Sequence, residues 1–427
     1  MQITFTNNIN QPIAIGNTDG FGKVFTIPAA GGAVTLSDAE YESSLPQFNA
    51  LKAAGSIAWT LDNSHTQNGK MVVARHSHSA TLLGTGAKVL IVGGCPTSAR
   101  SGPVKTAEIY DLATGKSVAT GSMATARFDH QATLLDTGKV LITGGVSTYS
   151  PLTVVTTCEI WDPATGLFTP APSMAVPRAL GQTVKLLSGK VIVAGGHVNN
   201  GAPVVTTELY DPVDSVWTTT CDMNYARASD TQIGALLSTG EFMVTGGWKV
   251  HPTNAAFAVP ASLDYHAEAY NEESAVWGVA NMLNIPRAGH SLIQVEGGNL
   301  VILGGDTTAT GDKGRAEVYN LTQDTWTLSV NAMATPRNGV SAAILGESVL
   351  AYGGYSGSLV TEAGSLGSAE AYVSHTNGFV PIQSSAVNPQ DGQKWYRATA
   401  LSSGKVLISG GYVDGKPAAT QSLSIFA

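Results

Sequence analysis

Three histidines stand at a repeated place in this chain. His78, His130 and His290 each follow an arginine by three residues, after Arg75, Arg127 and Arg287. Imidazoles at matched positions are the residue type of a metal centre or a general base, so they are the first chemistry to weigh. Counted the same way, the four remaining places hold Gly181, Asp230, Val340 and Ala400. A place so tolerant of side chain reads as repeated scaffold rather than ligand shell, and no metal site is expected.

The other reactive groups assemble no better. Cys95, Cys158 and Cys221 are far apart in sequence and have no metal-ligand spacing, so neither a disulfide framework nor a cysteine metal site is expected. The turns TGDKG (310–314), VDGKP (413–417) and TDGFG (18–22) lack the alternating oxygen ligands of a calcium loop. No G-x-S-x-G elbow is present, and the glycine pairs that follow strands introduce no helix for a phosphate to sit on. The expectation is a non-enzymatic protein without cofactor.

The elements that would position any site come from the repeats. KVLIVGG (88–94) returns as KVLITGG (139–145), KVIVAGG (190–196), EFMVTGG (241–247), NLVILGG (299–305), SVLAYGG (348–354) and KVLISGG (405–411). Self-similarity near 50 residues decides the architecture. Each copy is preceded by a segment opened by an arginine, at Arg75, Arg127, Arg178, Arg227, Arg287, Arg337 and Arg397. Each is followed by a short alternating strand such as AEIYD (107–111) or CEIWD (158–162). A fourth strand centres on an aromatic in most copies (Phe168, Trp217, Trp277, Trp326, Phe379), and a methionine precedes the next arginine: Met123, Met174, Met223, Met282 and Met333. Period-2 patterning between Gly, Asp-Pro and Thr-Gly turns gives four strands per unit. Such a sheet cannot cover both faces alone, but seven packed radially can. The glycine pairs (Gly93/Gly94, Gly144/Gly145, Gly195/Gly196, Gly246/Gly247, Gly304/Gly305, Gly353/Gly354, Gly410/Gly411) end the second strands and let a bulky neighbour approach, the Tyr and Trp of strands three and four being the expected partners.

A glycine pair, then Glu-x-Tyr or Glu-x-Trp 12–21 residues on, then an aromatic, resembles the kelch repeat over residues 56–427. The resemblance implies an all-β, seven-bladed kelch-like β-propeller, a fold that hosts oxidases, lectin-like modules and interaction platforms alike. Among them, copper radical oxidases offer a local likeness at Tyr265–His266. No Cys–Tyr pairing can be placed from sequence, and this is the third-ranked function.

The last unit ends without a fourth strand. SIAWT (56–60) resembles SVWTT (215–219), so residues 56–61 around Trp59 are expected to complete blade seven beside the C-terminal strands and close the ring. Residues 1–55 stand apart as a small α+β module. Strands are expected in MQITFTN, PIAIG and KVFTI, a helix after the Ser37/Glu40 capping box, and another ending near Gly55. Pro28, Gly31, Thr35 to Asp38 and Leu51 to Gly55 make a pattern similar to small domains of tailed-phage virion proteins. That likeness implies docking through residues 1–55 to other virion proteins, in multiple copies.

Composition narrows the partners. Net charge is −8 with 13% charged residues, which argues against nucleic acid, and no apolar run is long enough to span a membrane. The N-terminus has neither a basic nor an apolar signal region. Synthesis in a host cytoplasm and residence in a virion, in tail, collar or capsid, is the expected localisation. Connections from strand two to three and from strand four to one share one face. There Trp248, Lys249, His251, Phe257, Tyr265 and His266, with Trp395 and Tyr396, are the candidate binding residues for a host-surface glycan or protein. The leading function is a structural, host-adsorbing or assembly component of a phage particle. The alternative is a bacterial carbohydrate- or protein-binding propeller.

Overall fold

The computed structural model describes residues 2–7, 13–16, 24–27, 33–37, 57–61, 65–97, 102–248, 263–307, 314–357, 364–382, 393–414, 416 and 419–426. Within them the regular structure is strand, apart from two 3₁₀ turns of three residues each. Blade 1 shows why. In Lys88–Val92 the last four residues are buried, and a run apolar on both sides suits a strand covered on both faces. Val89 and Ile91 pack with Leu407, Leu423 and Ile425 of blade 7, while Leu90 and Val92 pack with Val140, Ile142 and Trp161 of blade 2. The alternation of strand side chains thus becomes an alternation between neighbouring blades. Each fully buried aliphatic side chain contributes about 1.5–3 kcal/mol of hydrophobic stabilisation.

Seven antiparallel four-stranded sheets follow this plan. Blade 1 is Ser79–Leu82, Lys88–Val92, Ala107–Asp111 and Lys116–Ala119, numbered from the axis outward. Blades 2 to 6 begin at Gln131, Gln182, Gly234, Ala288 and Ala343. The first strands lie side by side around the axis. Backbone bonds bind the blades to one another there: Ser77 N–H donates to the Trp395 carbonyl, Asp129 to Ser77, Leu180 to Asp129 and Ser229 to Leu180, at 2.9–3.4 Å. Four of these residues, Ser77, Asp129, Leu180 and Trp395, have φ of 52–56°, the left-handed region, which turns each carbonyl toward the next blade.

The ring closes with a strand from the beginning of the chain, but a different one from that expected. Blade 7 is Arg397–Ala400, Val406–Ser409, Ser422–Phe426 and then His65–Lys70. The strand containing Trp59, Ile57–Leu61, instead pairs with Gln2–Asn7, whose other edge carries Ala33–Ser37. The physical reason is that a fourth strand lies on the outside and needs only its backbone edge, so the polar HTQNGK serves. The apolar IAWTL joins the N-terminal sheet and lies against the outer strand of blade 6, Gly378–Pro381. Ile13–Gly16 and Val24–Ile27 form a separate hairpin. What is described of residues 1–61 is all strand. The helices expected between residues 38 and 55 lie outside the described residues.

The glycine pairs have a sharper cause than the one expected, and the two members differ. They follow the second strand in six blades, whereas in blade 5 the strand Leu300–Asp306 runs through Gly304 and Gly305. First glycines have φ of 52–69° and second glycines 80–109°. A Cβ on Gly144 would stand 2.1 Å from the carbonyl oxygen of Arg178 in the next blade and 3.3 Å from the Met174 methyl. Gly93, Gly195 and Gly410 meet Arg127, Arg227 and Arg75 with Met123, Met223 and Met71 in the same way.

The second glycines, Gly94, Gly145, Gly196, Gly247, Gly305, Gly354 and Gly411, face the segment that leads into the first strand of their own blade. A Cβ on Gly94, Gly196, Gly247 or Gly305 would stand 2.6–3.0 Å from the carbonyl oxygen of His76, Ala179, Ala228 or Ala288. One on Gly411 would stand 3.0 Å from the Tyr396 Cβ. Neither member of the pair makes room for the strand-three and strand-four aromatics, which fill the space between blades. The second glycine's N–H takes the same next-blade carbonyl that crowds the first, for example Gly145 to Arg178 at 2.9 Å. Met282 does not belong to the methionine series: it is 52% exposed, and Leu283 occupies the buried place.

Candidate functional site

Behind the loop face lies a repeated charged knot. Arg75 Nη1 donates to the carbonyls of Gly93 and Thr106, and Nη2 to Thr106 Oγ1 and Glu108 Oε1, the last at 2.9 Å. Glu108 also accepts the backbone N–H groups of Val72 and Val73. The pairs Arg127–Glu159, Arg178–Glu208, Arg227–Glu268, Arg287–Glu317 and Arg337–Glu370 repeat it at 2.6–3.1 Å, with both partners almost wholly buried. Burial pulls the guanidinium of Arg178 down from its ordinary pKa, and Glu208 pulls it back. The sequence displayed each arginine and each glutamate but not that they meet. These pairs hold the 4→1 loop, the end of strand two and strand three together, so they fix the loop face and leave its chemistry to the loops.

Blade 7 departs from the pattern. Gly354 N–H bonds to the Gln393 carbonyl, just as Gly145 bonds to Arg178, so Gln393 holds the arginine's place. Arg397, counted in sequence as the seventh repeat arginine, lies four residues on and faces the axial channel with Ser79, His130, Gln131, Asp230 and Ser341, around a cavity of roughly 210 Å³. Burial lowers its pKa, opposed by Asp129 and Asp230. The counterpart of His78 in blade 7 is accordingly Tyr396, not Ala400. The three histidines are structural. His78 Nε2 bonds Ser409 Oγ, His130 Nε2 bonds Ser79 Oγ and His290 Nε2 bonds Thr245 Oγ1, at 2.9–3.0 Å, each reaching the preceding blade. Burial drives all three far below the ordinary imidazole pKa, so they are neutral.

The expected binding residues divide. Tyr396 is 1% exposed, its hydroxyl bonded to the Tyr352 carbonyl and to Ser341, so it is core. Trp248 is 2% exposed and packs with Leu180, Ala228, Ala288 and Tyr355. Lys249, His251 and Phe257 lie outside the described residues. Two clusters remain on the loop face. In blade 4, His266 Nδ1 donates to Asp264 Oδ1 at 2.5 Å while the ring stacks on Tyr225 at 3.6 Å and Tyr265 at 4.5 Å. Asp264 is fully buried beside Arg227, and Tyr265 is 40% exposed. The carboxylate holds Nδ1 and so fixes the orientation of the ring. At blades 7 and 1, Trp395 stacks on Tyr412 at 5.7 Å and lies 5.0 Å from His76. The Lys394 ammonium sits 4.7 Å from the Trp395 ring and bonds Asp414 at 2.7 Å.

Sequence reasoning missed a third feature. The 2→3 loop of blade 2 is a β-hairpin, Val146–Tyr149 with Leu152–Val154, that carries Tyr149 at 39% exposure against Phe128. Its signal was Tyr-Ser-Pro between two β-branched pairs.

No family model matches the chain. It is 27% identical over 207 residues to an F-box/kelch-repeat protein of Arabidopsis thaliana, 44% of this chain and 41% of the relative. It is 32% identical over 108 residues to a second such protein of the same plant, 23% of this chain and 30% of that one. The chain thus spans under half the length of these relatives, and the shared part fits a kelch β-propeller. Among solved structures it is similar to a fungal alcohol oxidase of the AA5 family in complex with copper, at TM-score 0.63 and 16% identity over 85% of this chain and 75% of that one. This is a likeness of fold. The described residues do not fit a copper centre. Among the described residues no three His, Cys, Asp or Glu side chains converge on one point, and His78, His130 and His290 spend Nε2 on Ser409, Ser79 and Thr245. Cys158 is buried with its thiol pushed up to about 11 by burial, far from a ready thiolate.

Proposed function

We propose that the chain is a non-enzymatic binding propeller that engages a protein partner through its loop face. Kelch propellers are protein-interaction modules, and among the described residues no helix is long and apolar enough to cross a membrane. The observation that carries the reading is the Tyr225–His266–Tyr265 stack. A half-exposed tyrosine stacked on an imidazole that Asp264 orients and Tyr225 backs is a preorganised anchor of the kind that dominates interface energetics. Tyr149 and Trp395 extend the same face. The test is affinity capture from the source cell, then binding measurements with the purified partner. Tyr265→Ala is expected to weaken binding at least about tenfold; a partner that binds the variant as tightly as the parent overturns the reading, and a glycan array tests sugars as ligands.

A second reading is favoured by the sequence of residues 28–55 alone: a component of a tailed-phage particle, made in the host cytoplasm, docked through its N-terminal segment. Chain direction is compatible with it, because His65–Lys70 is entered from the face opposite the loops. Mass spectrometry of purified particles that finds no such chain removes this reading and leaves the first intact.

A further inference from the structure

One gap between blades opens into an apolar cleft, and it lies on the turn face, away from the loops. In blades 1 to 6 a cross-strand pair from strands three and four points at the next blade. The pairs are Ile109–Val118, Ile160–Thr169, Leu209–Thr218, Val318–Thr327 and Ala371–Val380, and in blade 7 Ile425 of strand three packs toward blade 1. Blade 4 alone has Ala269–Gly278. A Cβ built on Gly278 would meet nothing nearer than the Ala269 carbonyl oxygen, at 3.9 Å. The missing methyls leave a cleft of about 550 Å³ between blades 4 and 5, floored by Met243, Ala269, Gly278 and Ala280 and walled by Tyr319. Val276 and Val279, 49% and 57% exposed, continue its apolar surface.

The rim of this cleft is acidic. Asp324 Oδ1 accepts the Tyr319 hydroxyl at 2.7 Å. Glu241 accepts only from the neutral Thr239 and Asn271. Glu272 and Glu273 flank an adjoining cleft that shares Thr239, Glu241 and Asn271. None of these four carboxylates is in an ion pair among the described residues, and neither cleft is lined by a lysine or an arginine. An apolar trough that ends in uncompensated negative charge complements one kind of side chain: a long aliphatic stem with a cationic head.

We infer that the cleft between blades 4 and 5 is a docking site for a lysine or arginine side chain on a protein partner. The stem lies over Ala269 and Gly278, and the head reaches Glu241 and Asp324. The site is separate from the loop face, and its failure would leave that reading untouched.

The test uses a fluorescein-labelled tetralysine peptide, read by anisotropy at low salt against the full chain. Ala269→Ile with Gly278→Thr fills the cleft with the residues other blades carry there, so the fold is expected to hold, with a thermal midpoint at or above the parent's. Affinity is expected to fall at least about tenfold while the carboxylates remain. Glu241→Gln is expected to weaken binding several-fold, and a tetraglutamate peptide is expected not to bind. Gly278→Ala, one methyl in open space, serves should the double variant fail to fold. Photo-crosslinking of the parent, mapped to residues 269–280 and 319–324, is the measurement independent of any variant. A filled variant that binds as the parent does, reporting charge alone, or crosslinks that fall elsewhere, overturns the inference.

Discussion

Gln393 Nε2 donates to Ser422 Oγ at 2.6 Å at the place where each of the six other blades buries an arginine bonded to a glutamate. Ser424 stands where those blades carry the glutamate, for Ile408 pairs with Ser424 as Ile91 pairs with Glu108. The closing blade thus dispenses with a buried ion pair and its desolvation cost. Gln393→Arg alone is expected to destabilise the protein by burying an unpaired cation, and Gln393→Arg together with Ser424→Glu to recover much of the loss. A double-mutant cycle by chemical denaturation should give a favourable coupling of about 1–3 kcal/mol. No coupling would mean that blade 7 does not share the packing of the others.

Breaking a native pair should cost more than replacing it. Glu159 accepts from Arg127 and from the N–H groups of Ala124 and Thr125, so Glu159→Leu leaves a buried guanidinium and two backbone donors without their acceptor. The expected loss is about 3–5 kcal/mol, measured by urea unfolding. Lys139–Asp162 is the contrasting case: its lysine is 44% exposed and solvent screens the pair, so Asp162→Asn should leave the urea midpoint almost unchanged.

The number of blades is legible because paired glycines are required wherever a neighbouring carbonyl comes within contact of a Cα at positive φ. No other residue fits there, so the letters repeat. The arginine series misleads at its last member because residue identity and spacing part company there. Gln393 precedes Gly410 by 17 residues, as Arg127 precedes Gly144 by 17, whereas Arg397 precedes it by 13. The closing strand is illegible for the opposite reason: an outermost strand makes few side-chain demands, and HTQNGK carries no pattern. On the loop face, Tyr265 and His266 are conspicuous as aromatics beside a long connection. Tyr225, which stacks on His266, is not, since only the fold brings the 4→1 and 2→3 loops together. Trp248 and Tyr396 look like surface residues in the sequence because loop position suggests exposure; each lies close enough to a strand boundary to be folded under the face.

Glycine strain separates into two sizes. Gly144→Ala puts a methyl 2.1 Å from the Arg178 carbonyl oxygen at φ +60°. Gly102→Ala has a similar φ of +65° and nothing within 4 Å. The second should cost about 1 kcal/mol, the penalty of the left-handed backbone alone. The first should cost several times that, because the carbonyl and the inter-blade bond from Gly145 must both move. Thermal midpoints of the two variants make the comparison, and equal midpoints would show that the inter-blade contact carries no strain.

Closure by His65–Lys70 predicts a boundary between two truncations. Removing residues 1–61 leaves all seven four-stranded sheets, and the product should unfold cooperatively. Removing residues 1–70 exposes the edge of Ser422–Phe426 and takes away the strand that joins the ends, so a marked fall in midpoint and a tendency to associate through that edge are expected. Size-exclusion chromatography and calorimetry distinguish them. Two truncations of equal stability would place the closing strand elsewhere.

The buried histidines set the pH response. His78, His130 and His290 have folded pKa values well below the ordinary 6.5, chiefly through burial, whereas in the unfolded chain they titrate near that value. Above it they are neutral in both states and stability does not depend on them. As pH falls below it, the unfolded chain takes up protons that the folded chain refuses. Stability therefore declines toward acid, with a slope that approaches about 1.4 kcal/mol per pH unit for each histidine. His290→Gln can keep a bond to Thr245 Oγ1 without titrating, and it should remove about a third of the histidine slope between pH 6.5 and 5. Unfolding free energies measured across that interval for parent and variant provide the check. Parallel curves would mean that His290 is protonated in the folded blade, which its contact with Thr245 and its complete burial do not accommodate.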